Sequence, residues 1–234
     1  MNAGLVIIGG LVGTIFKAEK LKRIGERAFQ AFAIFVMVLG ISGSIDIDQP
    51  VLMLVCIAVG VAIGELLDVD KLFTNFGNWL QKILKPKKRA GQEGEGADSN
   101  FAEGFINASL LYCIGSMTFL GALESGLNNN HSIYITKGVI DAVSGVTLAM
   151  SGGFGVCCSA LTVLVYQGLL TGLAVVISPL LTTEIIALCS TIGSMFLVAI
   201  ALNMLGITKI KVANFLPAMF MPMLYQGILL IFQG

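Results

Sequence analysis

The sequence predicts an all-α, polytopic transmembrane bundle of about eight spans, and three observations carry that prediction. Only 12% of its 234 residues are charged and 56% are hydrophobic, with a mean hydropathy of +0.90, whereas a soluble domain is about a quarter charged. The uncharged runs are long. Ala142 to Thr183 and Ile185 to Thr208 contain no Asp, Glu, Lys, Arg or His, and Gly104 to Leu123 and Val212 to Gly234 are equally clean. A crossing helix needs about 20 such residues, so the first run holds two helices and each of the others one. The third observation is a missing one: the period-2 alternation of an outer-membrane barrel is not there, and helices satisfy their backbone groups internally where water is absent.

In chain order the expected spans are 3–17, 29–45, 50–67, 104–123, 134–150, 155–177, 184–205 and 212–232. The first is short for a full crossing. It is apolar but lacks the basic stretch that opens a signal peptide, so it reads as a retained first helix. Asp46-Ile-Asp-Gln-Pro50, Asn128-Asn-Asn130, Ser151-Gly-Gly153, Ser178-Pro179 and Gly206 punctuate the breaks. Basic residues set the orientation. Lys17, Lys20, Lys22, Arg23 and Arg27 lie between spans one and two, Lys71 to Arg89 hold six more between three and four, and Lys209 and Lys211 lie between seven and eight. With eight spans these connections share one side, which the positive-inside rule makes cytoplasmic. Of the 14 basic residues only Lys137 is left for the opposite side. The expected location is therefore the bacterial inner membrane, with both termini outside.

Three regions follow: membrane helices 1–3 over 1–69, a cytoplasmic segment over 70–100, and membrane helices 4–8 over 101–234. In the middle segment Leu72, Phe73, Phe76, Trp79, Leu80, Ile83 and Leu84 recur at helical spacing with Lys71, Asn75, Gln81 and Lys82 between them. That is an amphipathic helix on the membrane face with Trp79 at the interface, and Lys85 to Arg89 add attraction to anionic lipid. Ala90 to Asn100 reads as a flexible linker. A plain solvated tether is the alternative for this segment.

An internal repeat is also expected. Ile114-Gly-Ser-Met117 recurs as Ile192-Gly-Ser-Met195, Ile8-Gly9 precedes both, and each is followed by a polar residue within an apolar helix: Gln30, Asp141 and Asn214. Cys56 with Glu65-Leu-Leu67 is echoed by Cys158 with Gln167-Gly-Leu-Leu170. A three-span unit has an odd count, so successive copies are inverted, as in secondary transporters, and spans seven and eight form a truncated third copy.

Ionisable residues inside a span cost a few kcal/mol and point to function. Asp141 follows Lys137 by four residues, so the two share a helix face; a working site and a static pair near the outer end of span five both satisfy this spacing. Glu65 closes span three, as an interfacial carboxylate or a pathway residue, and Glu124 closes span four, lining a vestibule or simply solvated. Asn214, Pro217 and Pro222 predict that span eight is a broken helix whose freed carbonyls line a cavity, or one that is merely kinked. Gln167 joins the pathway candidates through the echo with Glu65. Gly9/Gly13, Gly60/Gly64 and Gly168/Gly172 are GxxxG pairs that let helices approach closely.

Other chemistries lack their motifs. The five cysteines, Cys56, Cys113, Cys157, Cys158 and Cys189, sit in apolar stretches without ligand spacing, so neither metal nor disulfides are expected. His131 stands alone in a loop. There is no GxxxxGK[ST], no nucleophile elbow and no HExxH, so neither an enzyme nor a cofactor is expected. No basic stripe interleaved with aromatics points to nucleic acid.

Phe105-Ile-Asn-Ala-Ser-Leu-Leu-Tyr-Cys-Ile-Gly115, Gly121-Ala-Leu-Glu-Ser-Gly-Leu127, Ser132, Lys137 to Asp141, Tyr166-Gln-Gly168 and Gly206-Ile-Thr-Lys-Ile-Lys-Val-Ala-Asn-Phe-Leu-Pro217 form a distinctive series. With Gly64-Glu65 and the basic first loop, the chain resembles the YqgA/YdfK-like family of bacterial membrane proteins over nearly its whole length. The loop Asn128-Asn-Asn-His131 departs from that family's pattern. The resemblance implies a fold and a membrane location, no settled activity, and recurrent polar positions at Lys137, Asp141 and Asn214. The expected function is a secondary transporter or channel for a small polar solute or ion. Its rival is a membrane scaffold or regulator acting through the helix around Trp79. The lipid bilayer, the solute and a second copy of the chain are the expected partners.

Overall fold

The computed structural model describes residues 1–15, 22–45, 49–84 and 95–233. Among them there are only helices: α1 (Asn2–Ile15), α2 (Lys22–Gly43), α3 (Pro50–Leu67), α4 (Val69–Leu84), α5 (Glu95–Cys113), α6 (Ser116–Leu127), α7 (Ser132–Gly152), α8 (Phe154–Gly172), α9 (Ala174–Ile177), α10 (Thr183–Met204) and α11 (Leu216–Gln233). Short 3-10 turns occupy Ser178–Leu180 and Val212–Phe215. Six helices are long and apolar enough to cross a membrane, α5 and α6 form a bent pair, and α1 is a shorter apolar helix. Large apolar side chains such as Leu66, Val143, Val175, Ile231 and Phe232 are exposed, which in water would be a liability and in lipid is the ordinary outer surface. The fold is an all-α membrane bundle.

Local signals explain most ends. Pro50 starts α3 at a first-turn position whose N–H is orphaned anyway. Asp68 ends it in the left-handed region at φ 46°, with its N–H turned back to Glu65 and Gly64 carbonyls. Thr182 caps α10 by accepting the Ile185 N–H at 3.3 Å.

The sequence expectation needs three corrections. Span four is two helices bent by 62°: Gly115 takes φ 119°, a conformation that L side chains rarely adopt, and it divides α5 from α6. The break expected at Pro217 and Pro222 in span eight is not there. Pro217 falls in the first turn of α11, where a missing N–H costs nothing, and α11 continues through Pro222 to Gln233; the irregular backbone is the turn before it, at Val212–Phe215. Finally, α7 starts at Ser132, so Asp141 is the tenth of its 21 residues. At 1.5 Å per residue it lies roughly 14 Å from the start and 17 Å from the end, which is the middle of the helix rather than its end. The expected linker falls partly on 90–94, outside the described residues, as do Lys17, Lys20 and Lys85 to Arg89; from Glu95 the chain is helical.

The chain divides into two compact units. The first comprises Met1–Phe32, Lys71–Tyr112 and Ile135–Val165. Here α1 runs parallel to α7, because Gly138 faces Asn2, Gly9 faces Ala142 and Gly13 faces Val146. A methyl group at Gly9 or Gly13 would collide with the Ala142 or Val146 carbonyl, so these glycines allow the backbone contact. In the same unit α4 turns Phe73, Gly77 and Leu80 toward Phe105 of α5, around a core with Phe101 and Cys158. Its Leu72, Trp79 and Ile83 stay exposed as a second apolar stripe.

The second unit comprises Ala33–Asp70, Cys113–Tyr134 and Tyr166–Gly234. In it α3 runs antiparallel to α11, with Gly60 on Ala218 and Gly64 on the Asn214 backbone. Ile114 packs on Gly193, so the two Ile-Gly-Ser-Met motifs touch, one at a helix break and the other inside continuous α10. Gly168 and Gly172 face open space, so that pair mediates no close contact among the described residues.

Candidate functional site

Two polar clusters, one in each unit, bring sequence-predicted residues together. In the first unit Lys137 and Asp141 stand one turn apart on α7, so their heads meet. Lys137 Nζ donates to Asp141 Oδ1 at 3.0 Å and lies 3.0 Å from Oδ2. Asn2 Nδ2 donates to Oδ2 at 2.8 Å. Both charged side chains are buried, at 7% and 6% exposure. Taking two ions out of water costs several kcal/mol each, which their attraction and added hydrogen bonds offset only with good geometry. Asn2 can reach because Gly138, between the two charged residues, has no side chain where Leu5 and Asn2 lie.

Tyr112, near the end of α5, is fully buried in the same interior. Its hydroxyl points at Gly145, one turn beyond Asp141, and lies 3.1 Å from where a Cβ there would be. It has no hydrogen-bond partner among the described residues. A buried hydroxyl without a partner costs about 1–3 kcal/mol, so it asks for an explanation.

The second cluster surrounds Asn214, which is fully buried in the turn before α11. Its Oδ1 accepts the Asp70 N–H at 2.7 Å, and its Nδ2 donates to Glu65 Oε2 at 2.6 Å. Asp70 is the second residue of α4, and its N–H is one of the four donors that a helix start leaves unpaired. Asn214 therefore caps α4 across 144 positions of sequence. Lys211 and Asp68 add an ion pair at 3.6 Å that is too exposed to stabilise much. Burial pushes the Asp70 carboxyl up from its usual range; Lys211 opposes this, and Asp68 and Glu65 add to it. Replacing Asn214 by Leu strands the Asp70 N–H and removes the Glu65 bond. The expected loss is about 2–6 kcal/mol from two groups at about 1–3 each, read as a lower unfolding temperature in detergent; an unchanged temperature would contradict the capping role.

The remaining candidates are placed as follows. Glu124 accepts from Asn128 Nδ2 at 3.2 Å and from Asn130 Nδ2 at 3.3 Å, so it ties down its own loop. His131 Nδ1 meets Ser125 Oγ at 2.7 Å. Gln167 is buried on α8, and Gln30 is exposed beside Arg27 at 3.0 Å. A pocket of about 20 Å³, room for one water, lies among Phe29, Glu103, Asn107 and Ser151 where Gly104 meets Gly152. The structure thus brings Asp141 to Lys137 and Asn214 to Glu65. Sequence reasoning missed Asn2 and Tyr112. The only signal for Asn2 was an amide opening an apolar helix, and for Tyr112 a hydroxyl among apolar neighbours.

A family model described as a protein of unknown function, DUF554, matches residues 1–226. The chain belongs to the DUF554 family. Two relatives are similar over nearly its whole length. The Bacillus subtilis (strain 168) protein named uncharacterised membrane protein YdfK is 29% identical over 225 residues, covering 94% of this chain and 91% of the relative. The Escherichia coli (strain K12) protein named uncharacterised protein YqgA is 25% identical over 223 residues, covering 95% and 93%. No solved structure matches. In this DUF554 chain both polar clusters fall within the matched residues.

Proposed function

We propose that this DUF554 protein is a secondary transporter or channel for a small polar solute or ion in the bacterial inner membrane, with Asp141 and Lys137 at its site. One observation carries the reading: a charged pair buried at mid-depth of an apolar helix, joined by a third polar side chain from α1. Charges at that depth are expensive and mark ion or solute paths. The bend at Gly115 supports it, since irregular backbone at membrane depth survives only within protein or beside a cavity. The chain carries no catalytic step in this reading, which also takes inverted three-span units from the recurrence of Ile-Gly-Ser-Met at 114–117 and 192–195.

Helix directions fit eight crossings, and the basic connections between spans are what place both termini outside in this reading. Counting α1 as the first and the bent α5–α6 pair as the fourth makes α7 the fifth and α11 the eighth. Parallel α1 and α7, and antiparallel α3 and α11, have the parity this count requires. In a cysteine-free background, a cysteine at position 129 is expected to react with an impermeant thiol reagent added to intact cells, and one at position 93 to stay protected. Labelling at 93 would reverse the orientation.

The exposed stripe of Leu72, Trp79 and Ile83 on α4 favours a second reading, a membrane scaffold or regulator. Flux separates the two. Wild-type protein in proteoliposomes, screened against monovalent cations, small anions and small polar solutes, is expected to carry at least one of them, with flux at least tenfold lower in Asp141→Asn. A wild-type protein that moves none of them would leave the scaffold reading.

A further inference from the structure

We infer that the pocket lined by Glu103, Asn107 and Ser151 is a vestibule for a small monovalent cation on the way to Asp141, closed behind by the Leu148 side chain. The vestibule deepens the transport reading and rests on it for physiological meaning. Within the first unit α5 runs antiparallel to α7: Gly104 meets Gly152 at one level, and the Tyr112 hydroxyl meets Gly145 at another. On α7, Asp141, Gly145, Leu148 and Gly152 are spaced by four, three and four residues, so they share one face. Gly145 and Gly152 turn that face to α5. The pocket lies at its Gly152 end, which is cytoplasmic in the orientation proposed above. Asp141 is ten residues from Ser151, roughly 15 Å further along at 1.5 Å each.

Along that face the order is polar, apolar, polar. Leu148 lines the pocket on the side nearer Asp141 and is only 2% exposed. One turn beyond it the Tyr112 hydroxyl points at Gly145 without a partner among the described residues, a polar atom that a sealed apolar seam does not explain. One large apolar side chain between two polar levels is a hydrophobic constriction, which closes a path by excluding water.

The lining decides the class of ligand. Glu103 is the charged residue of the pocket, and it joins neither ion pair found among the described residues. Nearby on α2, Arg27 turns to Gln30 at 3.0 Å. The Glu103 carboxylate, the Asn107 amide oxygen and the Ser151 hydroxyl are hard oxygen donors of the kind that hold inorganic cations, and the last turn of α7 adds its partial negative charge. An anion meets repulsion there. One carboxylate matches one positive charge, and about 20 Å³ admits a single occupant the size of a water, which excludes an organic solute.

The test uses the full-length protein in lipid nanodiscs, in a cysteine-free background and chloride-free buffer. The probe is Ag⁺, a monovalent, thiol-reactive cation comparable in size with Na⁺ and K⁺; thiols left free are counted after denaturation with a fluorescent maleimide. Ser151→Cys, in the pocket, is expected to be blocked about tenfold faster than Ser144→Cys, which lies one turn beyond Leu148. Leu148→Ala should speed blocking of Ser144→Cys about tenfold and leave Ser151→Cys unchanged. Leu148→Val, the milder change, should speed it in the same sense, so the test survives if the Ala variant fails to fold. Glu103→Gln should slow Ag⁺ at Ser151→Cys about fivefold without altering its reaction with neutral methyl methanethiosulfonate. Ser144→Cys that reacts as fast with Leu148 in place as with Ala or Val there overturns the constriction. Ag⁺ blocking of Ser151→Cys that is indifferent to Glu103→Gln overturns the cation vestibule. The two proposals also fail separately. Asp141-dependent flux in proteoliposomes with Ser144→Cys indifferent to Leu148 leaves transport and removes the vestibule. Blocking that depends on Leu148 and Glu103, with no flux, does the reverse.

Discussion

Replacing Lys137 alone by Gln is expected to cost about 3–5 kcal/mol of stability, because removing one partner of a buried pair leaves the other charge uncompensated. Asp141 would keep only the Asn2 bond among those seen here, at 2.8 Å, and one neutral donor cannot hold an ionised carboxylate at mid-depth. Replacing both residues, Lys137→Gln with Asp141→Asn, is expected to recover most of that loss. The double variant contains two neutral amides one turn apart on α7, able to bond to each other and to Asn2. Unfolding temperatures of the four proteins close a double-mutant cycle, and the coupling it measures should exceed about 2 kcal/mol, well above an exposed helix pair at about 0.3–0.5. Additive losses would mean that the two charges do not depend on each other.

Glycine substitutions should divide sharply by place. Gly64→Val is expected to be severe, since any Cβ there enters the Asn214 backbone. Forcing α3 off α11 costs about 1–3 kcal/mol as overpacking, and it pulls Glu65 from Asn214, whose lost bond adds about 1–3 more. Gly168→Ala is expected to be neutral or stabilising by about 0.5–1 kcal/mol, because nothing lies within 4 Å of the new methyl group and a helix favours Ala over Gly. Both belong to a GxxxG pair, so sequence alone ranks them equally. Comparable losses at the two positions, measured by thermal unfolding in detergent, would contradict the packing described for α3 and α11.

These cases show what was legible before the structure. The places of the apolar helices follow largely from the hydropathy of the sequence, because a bilayer imposes length and composition on each crossing, whereas the division of span four into α5 and α6 does not. Lys137 and Asp141 were visible as a pair since both lie on one helix, where spacing fixes proximity. Asn2 was not visible as their partner: its contact spans 139 positions, and nothing local encodes it. Asn214 was chosen as an oddity within an apolar run, yet its two bonds make it the cap of α4 and the tie to Glu65. The broken-helix reading of Pro217 and Pro222 failed because both were judged by identity, without knowing that α11 starts at Leu216 and continues through Pro222. Gly115 was overlooked for the converse reason, as its φ of 119° is a property of the folded chain that one glycine among 28 does not announce.

Flux through the double variant tests the central claim most directly. Asp141→Asn alone confounds lost charge with a stranded Lys137, whereas the double change removes both charges and restores stability. Reconstituted into proteoliposomes with the solute or ion that the wild-type protein carries, the double variant should be folded and inserted yet move that species at least tenfold more slowly. That result would make the Asp141 charge part of the transport step. Full wild-type flux in a stable double variant would contradict it, and would reduce Lys137 and Asp141 to a structural pair inside α7.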